Sequence, residues 1–227
     1  MAVITIAHTK GGVGKSMIAW NLAGALNGTI LDLDFQQTLS RNNELRARAG
    51  MKPFKVLEIN SEEEFLNAVK ASSLSEYIII DTGGFDDNLV RRAIISADII
   101  ITPALENNSE VFGLKTFGRI LNDLAEKINE ATKQNGVDDY DFKIQSFVLL
   151  NRIHHNTCNF KIIKAICDEN PHFTLMDTII RDRSIYRKTF NMGQTIYESG
   201  NMQGIAEFNA LKKEIKKRIT NAIKEAV

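Results

Sequence analysis

The segment from His8 to Ser16 constrains the fold of this chain more than any other stretch. It has the sequence His-Thr-Lys-Gly-Gly-Val-Gly-Lys-Ser, between an apolar run at residues 2–7 and a stretch with apolar residues at Ile18, Leu22 and Leu26. The run predicts a buried strand, and the spacing predicts a helix. Glycines between a strand and a helix let consecutive N–H groups turn towards phosphate oxygens, and the helix N-terminus adds partial positive charge. The sequence therefore predicts a phosphate-binding loop.

The loop contains two lysines, and Lys10-Gly-Gly-x-Gly-Lys15-Ser16 resembles the deviant Walker A motif of the ParA/MinD family of ATPases. In a phosphate loop, Lys15 is expected to reach the β- and γ-phosphates and Ser16 to ligate Mg²⁺. The resemblance implies that Lys10 is the signature lysine, which reaches the nucleotide of the partner subunit across a dimer. The alternative is a glycine-rich turn that binds nothing, which the agreement of the adjoining positions and both flanking elements disfavours. The predicted nucleotide contacts here are Gly11, Gly12, Val13, Gly14, Lys15, Ser16 and Met17, the last at the place of a second threonine in the family.

Two carboxylates follow the next apolar run, which predicts a strand from Thr29 to Asp34. Side chains alternate along a strand, so Asp32 and Asp34 point the same way if the strand persists through both. Together with Phe35 and the glutamines after it, they resemble the family's Asp-x-Asp-Pro-Gln segment, with phenylalanine replacing the usual proline. The resemblance implies that Asp34 positions or activates the attacking water and that Asp32 lies near Mg²⁺, as a hydrolase requires. The alternative is that both carboxylates cap the next helix.

A second acidic strand end lies at Tyr77–Asp81, where four residues rich in isoleucine precede an aspartate. This pattern predicts a Walker B strand, with Asp81 holding the Mg²⁺ shell at the sheet edge where ligands of open α/β sheets bind. Gly83 and Gly84 predict a mobile loop that senses the γ-phosphate. An ordinary buried strand that ends in a turn is the alternative, and the phosphate loop upstream argues against it.

The nucleotide base is predicted to lie near Asn151 and Arg152, at the end of a strand over Phe142–Leu150. In the family, an asparagine at this place commonly contacts the adenine. A GTPase would show Asn-Lys-x-Asp, whereas this chain continues with Ile153 and His154. The sequence therefore favours ATP as the nucleotide, with Mg²⁺ as its cation.

The remaining pattern predicts an α/β fold in which helices flank both faces of a mostly parallel sheet. Helices are predicted at residues 36–50 and 61–73, with a strand at Phe54–Ile59 between them, and a strand at residues 97–103 precedes a long helix. The chain of 227 residues is 44% apolar, which predicts one domain over residues 1–227. No transmembrane segment and no signal peptide are expected, and the two cysteines show no Cys-x-x-Cys spacing, so a cytoplasmic protein is predicted.

Charge is unevenly distributed along the chain. Residues 181–227 contain ten Lys/Arg and five Asp/Glu, against 18 and 23 in the rest. A basic segment on an acidic body predicts a surface for a polyanion. The predicted DNA contacts are Arg181, Arg183, Arg187, Lys188, Lys212, Lys213, Lys216, Lys217 and Arg218. For the helix lysines, a solvated face is an equal alternative, because the helix also has an apolar stripe at Phe208, Leu211, Ile215, Ile219, Ala222 and Ala226.

The resemblance extends over nearly the whole chain and implies a small ParA-like partition ATPase, cytoplasmic and nucleoid-associated. ATP would close a homodimer, the dimer would bind DNA without sequence preference, and a ParB-like adaptor would stimulate hydrolysis. A MinD-like protein that holds a membrane through its last helix is the first alternative, although this helix has only one aromatic residue. Others are a dethiobiotin-synthetase-like ligase and an ATPase that positions a protein cargo. An iron-protein-like reductase is disfavoured because cluster cysteines are missing.

Overall fold

The computed structural model describes residues 1–73, 76–84, 87–137 and 141–225, and for residues 222–225 the backbone alone. Ala226 of the predicted apolar stripe lies outside this range, as does the side chain of Ala222. Among the described residues, strands and helices alternate along the chain. The strands are β1 Ala2–Ile6, β2 Thr29–Asp32, β3 Val56–Glu58, β4 Tyr77–Asp81, β5 Ile99–Ala104, β6 Ser146–Ile153 and β7 Phe173–Arg181. The helices are α1 Lys15–Leu26, α2 Thr38–Arg48, α3 Glu62–Lys70, α4 Asn88–Ile95, α5 Asn108–Gln134, α6 Lys161–Glu169, α7 Ser184–Phe190 and α8 Met202–Glu225, with a 3₁₀ turn at Ile196–Glu198.

The strands form one sheet in the order β3-β2-β4-β1-β5-β6-β7, and every described pair is parallel. Parallel neighbours need crossover connections, and the helices supply them. All carboxyl ends of the strands therefore meet at one edge. The predicted mostly parallel sheet with helices on both faces is confirmed.

Helices cover both faces of the sheet, and the strands are accordingly apolar on both sides. On one face, α1 and α8 bury Ile18, Leu22 and Phe208 against Ile4 and Ile79 of the central strands. On the other face, α4, α5 and α6 pack over β5, β6 and β7 in a second apolar cluster, and α3 and α4 cover β2 and β4 in a third. The central strand β1 thus lies deep in the core, and the loop that follows it is fixed in place.

Several predicted strands have different bounds in the structure; for example, the strand expected at residues 97–103 is β5, Ile99–Ala104. The strand expected at Phe54–Ile59 is limited to Val56–Glu58, since only these residues pair with β2. The strand expected at Phe142–Leu150 begins at Ser146, where pairing with Phe173 of β7 starts, and continues to Ile153. The strand expected to reach Asp34 ends at Asp32.

Candidate functional site

The loop between β1 and α1 adopts the backbone conformation that its glycines predict. Gly12 and Gly14 have φ of 77° and 94°, a left-handed region that favours glycine. A Cβ at Gly14 would lie 2.5 Å from Nδ2 of Asn151, so this position also requires glycine for close approach. Helix α1 begins directly after it, at Lys15. The first N–H groups of α1 therefore face the sheet edge where the strands end.

A cavity of about 610 Å³ lies over this loop. The loop and the first residues of α1 form its floor, and Asp34, Gln36, Gly84 and Phe190 form its walls. The sequence-predicted residues that line it are Gly11, Gly12, Gly14, Lys15, Ser16, Met17 and Asp34. Val13 is buried beneath them. The structure thus brings the loop, the segment after β2 and the segment after β4 to one site.

Lys15 is almost fully buried, and its Nζ donates a hydrogen bond to the carbonyl of Lys10 at 3.2 Å. Burial lowers the pKa of Lys15, because the charged form loses water, and the nearby carboxylates of Asp81 and Asp34 oppose that change. The buried ammonium of Lys15, near the acidic side chains of Asp81 and Asp34, is suited to bind an anion that is complexed with a metal ion.

Asp81 ends β4 below the loop and is completely buried. Neither of its carboxylate oxygens has a hydrogen-bond partner among the described residues. Burial raises the pKa of Asp81 to about 8. The Ser16 hydroxyl, which lies near the carboxylate without meeting hydrogen-bond geometry, opposes this rise together with Lys15, whereas the negative charge of Asp32 adds to it. Orphaned buried carboxylate oxygens beside a serine hydroxyl are hard donors of the kind that Mg²⁺ prefers, so the residues fit this cation.

Asp32 lies next to Asp81 on the neighbouring strand, but its oxygens are already engaged. Oδ2 accepts hydrogen bonds from the N–H groups of Leu39 and Ser40, at 3.0 and 2.9 Å, and from the Ser40 hydroxyl. Oδ1 accepts one from the N–H of Asp34. The strand ends at Asp32, so the condition under which both aspartates would share one strand face is not met. Asp32 caps α2, and its proximity to Mg²⁺ stays a prediction.

Asp34 takes a separate place on the cavity wall. Its carboxylate accepts hydrogen bonds from the N–H of Gln36 at 3.1 Å and from the hydroxyl of Thr38 at 3.4 Å. A Cβ built at Gly83 would lie 3.8 Å from Oδ1, so the segment after β4 passes close to Asp34. Phe35, in place of the family's proline, is 96% exposed beside the cavity. The carboxylate of Asp34 is therefore a hydrogen-bond acceptor on the cavity wall, and its role in positioning the attacking water stays a prediction.

Asn151 and Arg152 contact the phosphate loop itself. The amide Nδ2 of Asn151 donates to the carbonyl of Val13 at 2.7 Å, while Oδ1 is buried without a partner among the described residues. Arg152 has a φ of 55°, and its Nη1 donates to the carbonyl of Gly12 at 3.2 Å. Both residues brace the loop from β6. The contact of Asn151 with adenine stays a prediction, with Oδ1 as the available acceptor.

Lys10 contacts the start of α5, a feature that the sequence analysis missed. Its Nζ donates to the Ser109 hydroxyl at 2.7 Å and forms an ion pair with Oε1 of Glu110. A sequence signal for Glu110 existed, because it precedes Leu114 by four residues and therefore lies on the same face of α5 as this buried leucine. Phe190 on the cavity wall was missed as well, and its position in the sequence gives no comparable signal.

The predicted DNA contacts fall into two basic groups, and the first begins at the end of β7. It consists of Arg181, Arg183, Arg187 and Lys188, and some of its side chains already have partners within the chain. Arg183 pairs with Glu207 at 2.7 Å, and Nη1 of Arg181 donates to the carbonyl of Thr157 at 2.9 Å. Arg187 and Lys188 are exposed on α7, with no ion pair among the described residues. Two of these four side chains thus have surfaces free to bind another molecule.

The second basic group lies on α8 and consists of Lys212, Lys213, Lys216, Lys217 and Arg218. Some of these side chains have partners within the chain, and others are exposed. Arg218 pairs with Glu214 at 2.7 Å, and the Lys212 ammonium donates to a backbone carbonyl near the end of α1 at 2.6 Å. Lys216 lies over the ring of Tyr77, at the first residue of β4 and hence at the edge opposite the phosphate loop. The exposed members of both groups are Arg187, Lys188, Lys213, Lys216 and Lys217. The two exposed groups therefore lie towards opposite edges of the sheet.

The described residues show neither a group of three or more metal-ligating side chains nor a membrane-spanning helix. No group of three or more His, Cys, Asp or Glu side chains in this part of the chain is arranged to hold a metal ion. Within the same residues, the structure contains no helix with the length and apolar character that crossing a bilayer requires.

Comparison with known proteins identifies the family. Residues 4–196 match the CobQ/CobB/MinD/ParA nucleotide binding domain. A protein named ParA from Rhizobium radiobacter is 25% identical over 237 residues, which cover 99% of this chain and 100% of that protein. McdA of Cyanothece in its ATP complex has a TM-score of 0.62 at 17% identity, covering 95% of this chain and 96% of that one. A plasmid partition protein from Borrelia burgdorferi has a TM-score of 0.55 at 20% identity, covering 85% and 96%. The chain therefore belongs to the CobQ/CobB/MinD/ParA family of nucleotide-binding proteins.

Proposed function

We propose that this protein, as one domain over its whole length, is a DNA partition ATPase that binds Mg²⁺-ATP, dimerises and hydrolyses the nucleotide slowly. The observation that supports this most is the position of Lys15, Ser16 and Asp81. A cation, a hydroxyl and an unpartnered buried carboxylate meet under a glycine loop at the start of a helix. That set serves a triphosphate with a divalent cation, and the family match supports the same ligand class.

In this proposal, the loop N–H groups and Lys15 hold the phosphates. Ser16 and Asp81 would hold Mg²⁺, which when bound neutralises charge on the phosphate oxygens. The buried position of Asp81 keeps bulk water from its carboxylate. Asn151 would accept a hydrogen bond from the adenine amino group, and its contact with Val13 would tie base recognition to the shape of the loop.

Hydrolysis requires an acceptor near the attacking water, and Asp34 supplies a carboxylate on the wall of the same cavity. Asp34 is held through Gln36 and Thr38, whose segment forms the exposed surface around Phe35. A ParB-like adaptor that contacts this surface could shift Asp34 and so stimulate the reaction. Hydrolysis would be slow without it.

Lys10 would act across a homodimer, reaching the nucleotide of the other subunit. Non-specific DNA binding would use the exposed cations Arg187, Lys188, Lys213, Lys216 and Lys217. Arg181, Arg183, Lys212 and Arg218 already have partners within the chain, so their part in DNA binding would require those partners to be exchanged.

A MinD-like membrane protein is the alternative of a different class. Phe208, the one aromatic residue of α8, is fully buried against the sheet, which favours core packing over insertion into lipid. A dethiobiotin-synthetase-like ligase would have no use for Lys10 in a dimer. Positioning of a protein cargo over the nucleoid would use the same nucleotide cycle as the partition function.

The test is fluorescence anisotropy of a random-sequence DNA duplex, with ADP and with ATP, at several salt concentrations. Anionic liposomes are tested in parallel, and Lys15→Ala, which should not bind nucleotide, is the control. The proposal predicts ATP-dependent DNA binding that weakens steeply with salt. Binding to liposomes but not to DNA would favour the MinD-like alternative instead.

A further inference from the structure

Lys10 is held firmly within its own subunit. Two of the three donors of its ammonium are used, one by Ser109 at 2.7 Å and one by the Glu110 carboxylate. The side chain of Lys10 is 33% exposed, whereas that of Glu110 has no exposed surface. The contact is therefore formed between a cation at the surface and an anion in the interior.

Glu110 depends on Lys10 for charge compensation. Its Oε2 accepts a hydrogen bond from the N–H of Leu105 at 3.1 Å and faces Nε2 of His8 at 3.9 Å. His8 cannot replace Lys10 as the cation. Its Nδ1 accepts from the N–H of Lys10, and burial lowers the pKa of His8 to about 3, so the ring is neutral. Lys10 is thus the only lysine or arginine paired with Glu110 in the described part of the chain.

The packing of α5 against the phosphate loop supports this contact. A Cβ at Gly113 would lie 2.8 Å from Cε1 of His8 and 3.4 Å from Cβ of Lys10, so α5 lies directly on the loop. The hydroxyl of Thr9 donates to the carbonyl of Gly113 at 3.2 Å. The first turn of α5 and the loop are therefore one packed unit, and the ion pair is built into it.

We infer that Glu110 is a positioning residue that retains Lys10 in its own subunit and thereby restrains dimerisation driven by ATP. The inference rests on the proposed function, in which Lys10 crosses to the nucleotide of a partner. Moving Lys10 leaves a buried carboxylate without its cation, which is unfavourable. A partner's nucleotide shifts the equilibrium only by the amount by which it binds Lys10 better than Ser109 and Glu110 do. Glu110 therefore sets the threshold for closing the dimer.

The first experiment measures the contact itself in nucleotide-free protein. Acetylation of Lys10 by an amine-reactive reagent is followed by peptide mass spectrometry, with exposed Lys213 as the internal standard. In Glu110→Gln, Lys10 should be labelled several-fold faster than in the wild type, because the amide keeps the shape of the carboxylate but not its charge. Glu106→Gln is the matched control, since Glu106 accepts from the N–H groups of α6 and does not contact Lys10.

The second experiment measures the dimer by analytical ultracentrifugation with Mg²⁺ and a non-hydrolysable ATP analogue. Releasing one ion pair per subunit should lower the dissociation constant of the Glu110→Gln dimer by about tenfold, with no change in Glu106→Gln. Ser109→Ala removes the exposed acceptor of Lys10 and should act in the same direction, more weakly. This variant decides the question if the buried substitution prevents folding.

The results separate the two proposals. Faster labelling together with a tighter dimer supports the restraint. Unchanged labelling of Lys10, or a dimer that Glu110→Gln leaves unchanged or weakens, overturns it while the proposed function stands. If no variant and no wild-type protein dimerises with the analogue, the proposed function fails and the restraint fails with it. The labelling result then shows only whether Lys10 and Glu110 pair in solution.

Discussion

The buried carboxylate of Asp81 predicts a specific pH dependence of stability. Its pKa rises from 3.8 to about 8 on folding, because burial removes water from the charged form. Between these values the folded protein binds more protons at this site than the unfolded chain, so the group destabilises the fold increasingly as pH rises through the window. The stabilising effect of the protonated acid is fully present below pH 3.8, the pKa of Asp81 in the unfolded chain. It is lost as the pH rises through about 8, the pKa of Asp81 in the folded protein.

Asp81→Asn removes this titration, so only the wild type loses stability through it as the pH rises. The free energy of unfolding of the variant minus that of the wild type should therefore increase with pH. At about 1.4 kcal/mol per pH unit, the difference should grow by about 3 kcal/mol between roughly pH 5 and pH 7.5. An absolute comparison at one pH is less informative, because the unpaired amide donors of asparagine themselves cost about 1–3 kcal/mol. The lowered pKa of His8 is caused by burial, Lys15 and Lys10 and not by Asp81, so its titration should contribute alike to both proteins.

The measurement is urea unfolding at pH 5, 6, 7 and 7.5 without nucleotide or Mg²⁺, for the wild type, Asp81→Asn and the control Asp123→Asn on the exposed surface of α5. Thermal unfolding with Mg²⁺-ATP is the companion assay, in which the wild type should gain stability and Asp81→Asn should gain much less. A difference that stays flat within about 1 kcal/mol over this pH range would refute the assignment of Asp81 as an orphaned, buried carboxyl.

The remaining predictions concern the proposed function. Lys15→Ala should lose ATP binding, whereas Lys10→Ala should bind ATP and fail to dimerise or hydrolyse it. ATP binding is measured by calorimetry, and an equal loss of binding in both variants would contradict the separate roles of the two lysines. Asp34→Ala should bind Mg²⁺-ATP and dimerise, with hydrolysis reduced by about 10²-fold or more in a phosphate-release assay, and normal turnover would exclude it as the acceptor. Replacing the exposed α8 lysines by glutamate should weaken DNA binding and leave ATP binding intact in the anisotropy assay, and undiminished DNA binding would move the interface elsewhere. That variant carries Lys213→Glu, Lys216→Glu and Lys217→Glu.

The sequence was sufficient for the features in which local pattern and site chemistry coincide. The phosphate loop lies between an apolar run and an amphipathic helix, and Asp81 ends a run of isoleucines, so neighbouring residues alone indicate both roles. The parallel sheet follows from the alternation of strands and helices. Strand bounds were less predictable, since β6 begins at Ser146, where pairing with Ile100 of β5 and Phe173 of β7 starts.

Contacts between distant segments could not be predicted. Asp32 and Asp34 are two residues apart, yet one caps α2 and the other lines the cavity, because the hydrogen bonds to Leu39 and Ser40 turn the chain between them. Asn151 is a plausible adenine ligand in sequence, and only the fold shows its amide against the carbonyl of Val13. The pairing of Lys10 with Glu110 joins residues that are a hundred positions apart.

The most direct test of the central claim is sedimentation velocity of Asp34→Ala with Mg²⁺-ATP, beside the double variant with Lys10→Ala. We predict that Asp34→Ala accumulates as a dimer of twice the 25.5 kDa chain mass with ATP and remains monomeric with ADP. The double variant should bind ATP equally well and remain monomeric. Monomeric Asp34→Ala with ATP bound, or a double variant that dimerises as readily, would contradict the claim that ATP closes a dimer through Lys10.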